Sequence, residues 1–230
     1  MCMSRLLLSL GIPVLESMKM GKWQSLICCA LRIMSSVEAQ IPGALWTFGG
    51  GTVLMLRHDH RESKDIELFV PDPQYLGYVT PRLNTVAESI SLGYEESADA
   101  VKIFCEEGEI DIVVGAPLTK SPFAICAFKK RVIKVETTAE ILAKKMWHRG
   151  NRATARDLFD LCAMADLEPA AIKAAGPFMA RHGAEFLRQL EQRKDYLSVQ
   201  FAEIDARGFS RPYDDCVRQA QKLMRPLLER

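Results

Sequence analysis

The stretch FGGGTVLMLRHDHRESKDIELFV, Phe48 to Val70, decides how the rest of the chain is read. Three successive glycines mark a tight turn, and the apolar run after Thr52 reads as a short helix. A basic link follows, and then an apolar strand carrying two acids. Side chains on a strand alternate between faces, so Asp65 and Glu67 project together while Ile66, Leu68 and Val70 bury the other side. Two carboxylates side by side repel each other unless a cation sits between them.

Upstream of this stretch, Trp23, Leu26, Ile27, Ala30, Leu31 and Met34 recur at helical spacing from about Lys22 to Ala39, and Pro42-Gly43 breaks the pattern. Downstream, Pro71-Asp72-Pro73 stops the strand, and Pro81 to Ser91 predicts a helix ending near Gly93. Tyr94 to Ile103 has no decisive period. The runs Val101 to Phe104 and Gly108 to Gly115 predict an antiparallel pair around Glu106-Glu107-Gly108. In the second run Ile110, Ile112 and Val114 share one face and Asp111 lies on the other. Phe128 to Val135 predicts one half-exposed strand.

The chain then turns helical. Thr137 with Glu140 fits a capping box, Ile141, Leu142 and Met146 continue as an apolar stripe, and Arg156 to Asp166 places Leu158, Leu161, Cys162 and Ala165 at core spacing. Pro169, Gly176 and Pro177 are expected to punctuate the helices beyond. The fold class is therefore α/β (α+β): a mixed sheet with flanking helices over residues 1–135, including an N-terminal helix, then a helical part over 136–230.

With 230 residues and 48% hydrophobic content, the chain can bury a sizeable core. Its 30 Lys and Arg nearly balance 29 Asp and Glu, so no global field draws in nucleic acid and any such contact is local. Local basic density at Lys129-Lys130-Arg131 and from Lys144 to Arg152 leaves an RNA backbone contact open. Seven cysteines without CxxC or Cys/His spacing argue against a disulfide framework and a structural zinc site, and point to a reducing cytoplasm. The opening MCMSRLLLSLGIPVL reads as a packed N-terminal segment rather than a signal peptide, and no apolar run is long enough for a membrane.

Asp111 at the centre of an apolar strand needs a partner or a metal. Gly50, Gly51 and Thr52 before a helix offer backbone N–H groups near the positive helix end, which suits a triphosphate. Each feature alone has a plainer reading. The glycines could be only a turn, Asp65 and Glu67 a solvated face paired to Lys64 or Arg61, and Asp111 a buried hydrogen-bonding group. Their conjunction favours chemistry: three carboxylates could hold two Mg²⁺ ions, with Asp65 and Glu67 as shared ligands and Asp111 as the candidate base. His58-Asp59-His60 reads as a loop rather than a zinc site, because three adjacent residues cannot easily face one ion.

On these motifs the chain resembles the polymerase-β-type nucleotidyltransferase superfamily, and within it the AbiEii toxin-like nucleotidyltransferases of bacterial toxin–antitoxin and phage-defence systems. The resemblance covers Trp23 to Leu167. It rests on Gly50-Gly51-Thr52, on Arg61-Glu62-Ser63, and on Asp65-Ile66-Glu67, where the family more often has Asp as the second acid. Its later part is Ala143-Lys144-Lys145, Arg149 and Arg156-Asp157-Leu158-Phe159-Asp160-Leu161.

The resemblance implies a polymerase-β-like sheet and metal-dependent transfer of a nucleotidyl group from an NTP to an acceptor hydroxyl. It implies that Gly50, Gly51, Thr52 and Ser63 bind the nucleotide, that Lys145 meets the triphosphate and that Asp157 forms or orients the site. By the same resemblance the acceptor is tRNA or another RNA, and the partner an antitoxin protein. Residue spacing alone leaves Lys144 and Lys145 a solvated helix face, and Asp157 and Asp160 exposed acids bonded to Arg156 or Arg152. Small-molecule or protein nucleotidylation, and an inactive binding module on the same fold, are the alternatives.

Overall fold

The computed structural model describes residues 21–129 and 131–229, so the expected packed segment at the chain's start lies outside the described residues. The chain forms two compact units. The first runs to Leu56 and resumes over Ser63–Pro117 and Phe123–Glu136; the second takes Arg57–Glu62, Leu118–Pro122 and everything from Thr137.

Helix α1, Trp23–Gln40, opens the first unit. Its apolar stripe is buried, Trp23, Ile27 and Met34 almost completely, and it packs against the strands Ile66–Val70 and Gly108–Val114. Strand β1, Thr47–Gly49, passes directly into helix α2, Gly50–His58, at Gly50, whose φ of 74° lies in the left-handed region. Strand β2 is Ile66–Val70, and Asp65 stands at its entrance.

Among the described residues the sheet has seven strands, in the order β3 (Tyr94–Glu96), β4 (Ala100–Cys105), β5 (Gly108–Val114), β2, β1, β7 (Arg131–Glu136), β6 (Phe123–Phe128). β2 and β5 (Gly108–Val114) run parallel, as do β1 and β7 (Arg131–Glu136), and the other neighbours are antiparallel. Ile66, Leu68 and Val70 of β2 and Ile110 and Ile112 of β5 are fully buried on one face. Each such side chain contributes about 1.5–3 kcal/mol of burial, and this layer holds the opposite, polar face in register.

Two expectations for this unit change, and one open segment takes a definite form. The helix predicted over Pro81 to Ser91 is confined to α4, Thr85–Ile90, after a single-turn α3, Leu76–Val79. Asn84 starts α4 by accepting hydrogen bonds from the Val86 and Ala87 N–H groups. The segment without a decisive period holds β3, Tyr94–Glu96, and the start of β4, Ala100–Cys105, paired around a tight turn. The single strand expected over Phe128 to Val135 is a hairpin of β6, Phe123–Phe128, and β7, turning at Lys129 with φ 52°.

The second unit is helical: α5 Thr138–Arg149, α6 Ala155–Leu167, α7 Pro169–Gln192, α8 Lys194–Ala202 and α9 Tyr213–Leu228. Only half of the expected box at α5 forms. Thr137 accepts from the Glu140 N–H, but the buried Glu140 carboxylate accepts instead from the backbone N–H groups of Leu118 and Thr119 and from the Thr119 hydroxyl. A complete capping box stands at α6, between Thr154 and Asp157.

Helix α7 runs straight through Gly176-Pro177 rather than stopping there. An internal proline costs about 3 kcal/mol by removing a helical donor; burial of Ala175, Met179, Phe186 and Leu190 on the same helix offsets it. An edge-to-face pair of Phe159 and Phe209, with Phe201 and Tyr213 beside it, fills the space around α6 and α8.

Candidate active site

The polar face of the sheet carries one row of charged residues. Strand register sets Glu95 opposite Lys102, Lys102 opposite Asp111, Asp111 beside Glu67, and Glu67 opposite Gly49. Period-two alternation brings all of these to the side away from Ile66, Leu68, Ile110 and Ile112. Asp65 is two residues from Glu67 on the same side, and its Oδ1 accepts from the Glu109 N–H at 3.2 Å.

The glycine turn adjoins this row. A Cβ added at Gly50 would collide with the Glu67 carboxyl, and one at Gly49 with the Glu136 carboxylate. Glu136 is buried and accepts a 2.7 Å hydrogen bond from the Thr47 hydroxyl. The buried Thr52 ties α2 to the strand entrance: its hydroxyl donates to the Asp65 carbonyl at 2.5 Å and lies 3.0 Å from Ser63 Oγ. Gly50, Gly51, Thr52, Ser63, Asp65, Glu67 and Asp111 thus all belong to one unit, around β1, α2, β2 and β5. The Arg61 guanidinium is engaged by Asp160, and both belong to the second unit.

Burial pushes the Asp111 carboxyl up, Lys102 pulls it down, and Glu67, Glu109 and Asp65 push it up again, to about 6. Lys102 Nζ lies 3.6 Å from Asp111 Oδ1 and 2.6 Å from Glu109 Oε2. Such crowding of like charges is what a divalent cation relieves, and an all-carboxylate donor set is the hard oxygen chemistry that Mg²⁺ prefers. Among the described residues no three His, Cys, Asp or Glu side chains are already drawn into one metal cage. The acids share a face and a field, and a metal would have to gather their oxygens.

The second unit holds its own charged cluster. Lys145 Nζ donates to Asp157 Oδ1 at 3.0 Å and lies 3.3 Å from Asp160 Oδ2, and Arg149 Nη2 reaches Asp157 Oδ1 at 2.8 Å. Arg61 binds Asp160 through both Nε and Nη2, at 2.6 and 2.9 Å, and His60 Nε2 lies 2.8 Å from Asp160 Oδ1. The solvated readings therefore fail, because Lys144, Lys145, Asp157 and Asp160 are all buried. His58 and His60 face different partners, His58 Nε2 lying 3.0 Å from Glu168 Oε2. Trp147 packs against Phe178 with the Arg181 guanidinium 4.3 Å from its ring centre.

Burial opposes ionisation of Asp157 and Asp160, but Lys145 and Arg149 around the first, and Arg61 and Lys145 around the second, hold both carboxyls well below the usual range. A depressed folded-state pKa contributes stability that is complete above the unfolded value near 4 and is lost as pH falls below it. Thermal melts should therefore show the unfolding temperature dropping steeply below about pH 4. Asp160→Asn should flatten that drop and cost about 3–5 kcal/mol at neutral pH, since it leaves Arg61 buried beside a neutral group. A melt unaffected by the substitution at pH 7 would contradict this.

Residue spacing singles out neither Lys102 nor Glu136, and it places His60 in a loop and Asp160 on an exposed face. The period-two pattern of Ala100 to Cys105 could have flagged Lys102, which alternates with the buried Val101 and Ile103.

The chain is a nucleotidyltransferase by its family match. The chain belongs to the AbiEii family, described as the nucleotidyl transferase AbiEii toxin of a type IV toxin–antitoxin system, which matches residues 32–227. No curated protein matches the chain. Similar solved structures include JHP933 from Helicobacter pylori, at 12% identity and TM-score 0.45 over 87% of this chain and 92% of that one. Another is ANT(2")-Ia in complex with adenylyl-2"-tobramycin, at 13% identity and TM-score 0.48 over 69% and 99%. A third is the lincosamide antibiotic adenylyltransferase LnuA, lincomycin-bound, at 18% identity and TM-score 0.40 over 60% and 95%.

Proposed function

We propose that this nucleotidyltransferase is metal-dependent and moves a nucleotidyl group from an NTP to the 3′ hydroxyl of a tRNA, as a cytoplasmic toxin held in check by a cognate antitoxin. The observation that carries the chemical part is the register of Glu67 beside Asp111, with Gly50 pressed against the Glu67 carboxyl. The antitoxin is proposed from the family description, and the tRNA acceptor from the resemblance carried by the sequence motifs. No helix among the described residues is long and apolar enough to cross a membrane.

Asp65, Glu67 and Asp111 would hold Mg²⁺, which supplies charge neutralisation at the phosphates when bound. The backbone of Gly50 and Gly51, at the N-terminus of α2, receives phosphate oxygens. The role of Lys145, in the second unit, is taken from the family resemblance: its ammonium, held by Asp157, answers triphosphate charge. Asp111 accepts the proton of the acceptor hydroxyl, whose oxygen bonds to the α-phosphorus as the bond to pyrophosphate breaks. Glu67 in place of the commoner Asp lengthens one arm by a methylene. Its carboxyl lies against Gly50, the one residue type that leaves room for it there.

Incubating the protein with each α-labelled NTP, Mg²⁺ and a mixed pool of tRNA and protein tests the proposal. Label should enter tRNA and fall by at least ~100-fold in Asp65→Asn. Label persisting in the mutant sinks the site assignment, and label in protein or in an added aminoglycoside instead of tRNA sinks the acceptor.

A further inference from the structure

Outside the acidic row stands His60, a residue that neither the family motifs nor the mechanism uses. Its side chain is fully buried, Nε2 lies 2.8 Å from Asp160 Oδ1, and Nδ1 has no hydrogen-bond partner. A carboxylate only accepts, so Nε2 carries the proton and donates it. Leaving Nδ1 unsatisfied carries an uncompensated desolvation cost, which an apolar side chain packed against Phe159 would avoid. The ring is 6.1 Å from that phenyl group, so packing alone gives no reason for an imidazole here.

The reason lies one bond further on. Asp160 receives His60 and Arg61 Nε on Oδ1, and Arg61 Nη2 on Oδ2, the oxygen 3.3 Å from Lys145 Nζ. Asp157 meanwhile receives Arg149 and the Thr154 hydroxyl as well as Lys145. Each carboxylate thus has a guanidinium of its own, so neither draws on the lysine alone for compensation. Two carboxylates fix the position of the ammonium, and one of its three N–H donors remains for another acceptor.

We infer that His60 is a positioning residue for phosphate recognition: through Asp160 it fixes the Lys145 ammonium so that its charge and its remaining donor meet the nucleotide's polyphosphate. This inference rests on the proposed role of Lys145. His60 does not touch the nucleotide, and its effect is confined to whatever Lys145 binds.

The test is calorimetric titration of the full chain with inorganic triphosphate, with the α,β-methylene analogues of ATP, GTP, CTP and UTP, and with the matching monophosphates. His60→Ala should weaken the triphosphates roughly 10-fold and leave the monophosphates unchanged. His60→Gln, which keeps an N–H donor, should restore affinity to within about 3-fold and guards against an alanine variant that fails to fold. In a Lys145→Ala background the histidine substitution should cost nothing more, because the lysine is its only route of action. Unchanged triphosphate affinity in His60→Ala, an equal loss for monophosphates, or losses that multiply in the double variant would each overturn the inference. Lys145→Ala binding triphosphate as tightly as the parent would instead refute the role of the lysine itself, and the histidine's role with it.

Discussion

Asp111→Asn is expected to reduce nucleotidyl transfer by roughly 10²–10⁴-fold while making the metal-free protein more stable. The first effect follows from removing the proposed proton acceptor. The second follows from the crowding around the side chain: burial and the charges of Glu67, Glu109 and Asp65 outweigh Lys102 and lift the carboxyl to about 6. The sign is opposite to that at Asp160. A carboxyl whose pKa rises on folding favours the folded state fully only below its unfolded value near 4, and that contribution is lost as pH rises through about 6. At pH 7 the ionised side chain therefore opposes folding. The neutral amide should recover on the order of 1–2 kcal/mol, less than the full shift because Lys102 keeps only Glu109 as a carboxylate partner.

Melts in chelator from pH 4 to 8 should show this gain growing up to about pH 6 and staying level above it. Added Mg²⁺ should raise the melting temperature of the parent more than that of the variant, because the parent has the extra carboxylate for the ion to bind. A variant less stable than the parent at pH 7 in chelator would mean that Asp111 is a structural hydrogen-bonding group and not an acid kept for chemistry.

Gly50→Ala is expected to be the most damaging small change on the sheet. At φ 74° an alanine costs about 1–2 kcal/mol from backbone strain alone. Its methyl would also occupy the space of the Glu67 carboxyl, so either the carboxylate or the turn must move. Transfer should fall by at least ~100-fold, given what small displacements cost a reacting site. Gly43→Ala is a useful control: that glycine also has positive φ, 80°, but its Cβ would meet nothing within 4 Å. The control should lose stability by the strain and keep its activity. Equal activity loss in both variants would mean that the close approach of Gly50 to Glu67 has no functional role.

The acidic face was legible because strands reveal their sidedness through simple alternation. Ile66-Glu67-Leu68 and Ile110-Asp111-Ile112 announce both a buried layer and the acids on its reverse, and the strand pairing then sets those acids side by side. Features settled by distant partners were not legible. His60 and Arg61 look like part of a basic link until Asp160, about a hundred residues later, is seen between them. Glu140 fits a capping box locally, yet Leu118 and Thr119 offer it three donors and take it away. Pro177 carries the usual mark of a helix end, but the burial of Met179 and Phe186 extends α7 past it. The Phe128 to Val135 pattern hid a hairpin because its turn, at Lys129, contains neither glycine nor proline.

The interleaving of the two units has a bearing on how this protein can be dissected or recombined. The backbone passes from one unit to the other at 56/57, 62/63, 117/118, 122/123 and 136/137. A fragment begun at Thr137 would lack Arg61, His60 and the Leu118–Thr119 amides, and so would strand the carboxylates of Asp160 and Glu140 without their donors. No single scission yields two self-sufficient pieces. Grafting the helical part onto another sheet would have to transplant two short loops, Arg57–Glu62 and Leu118–Pro122, along with it.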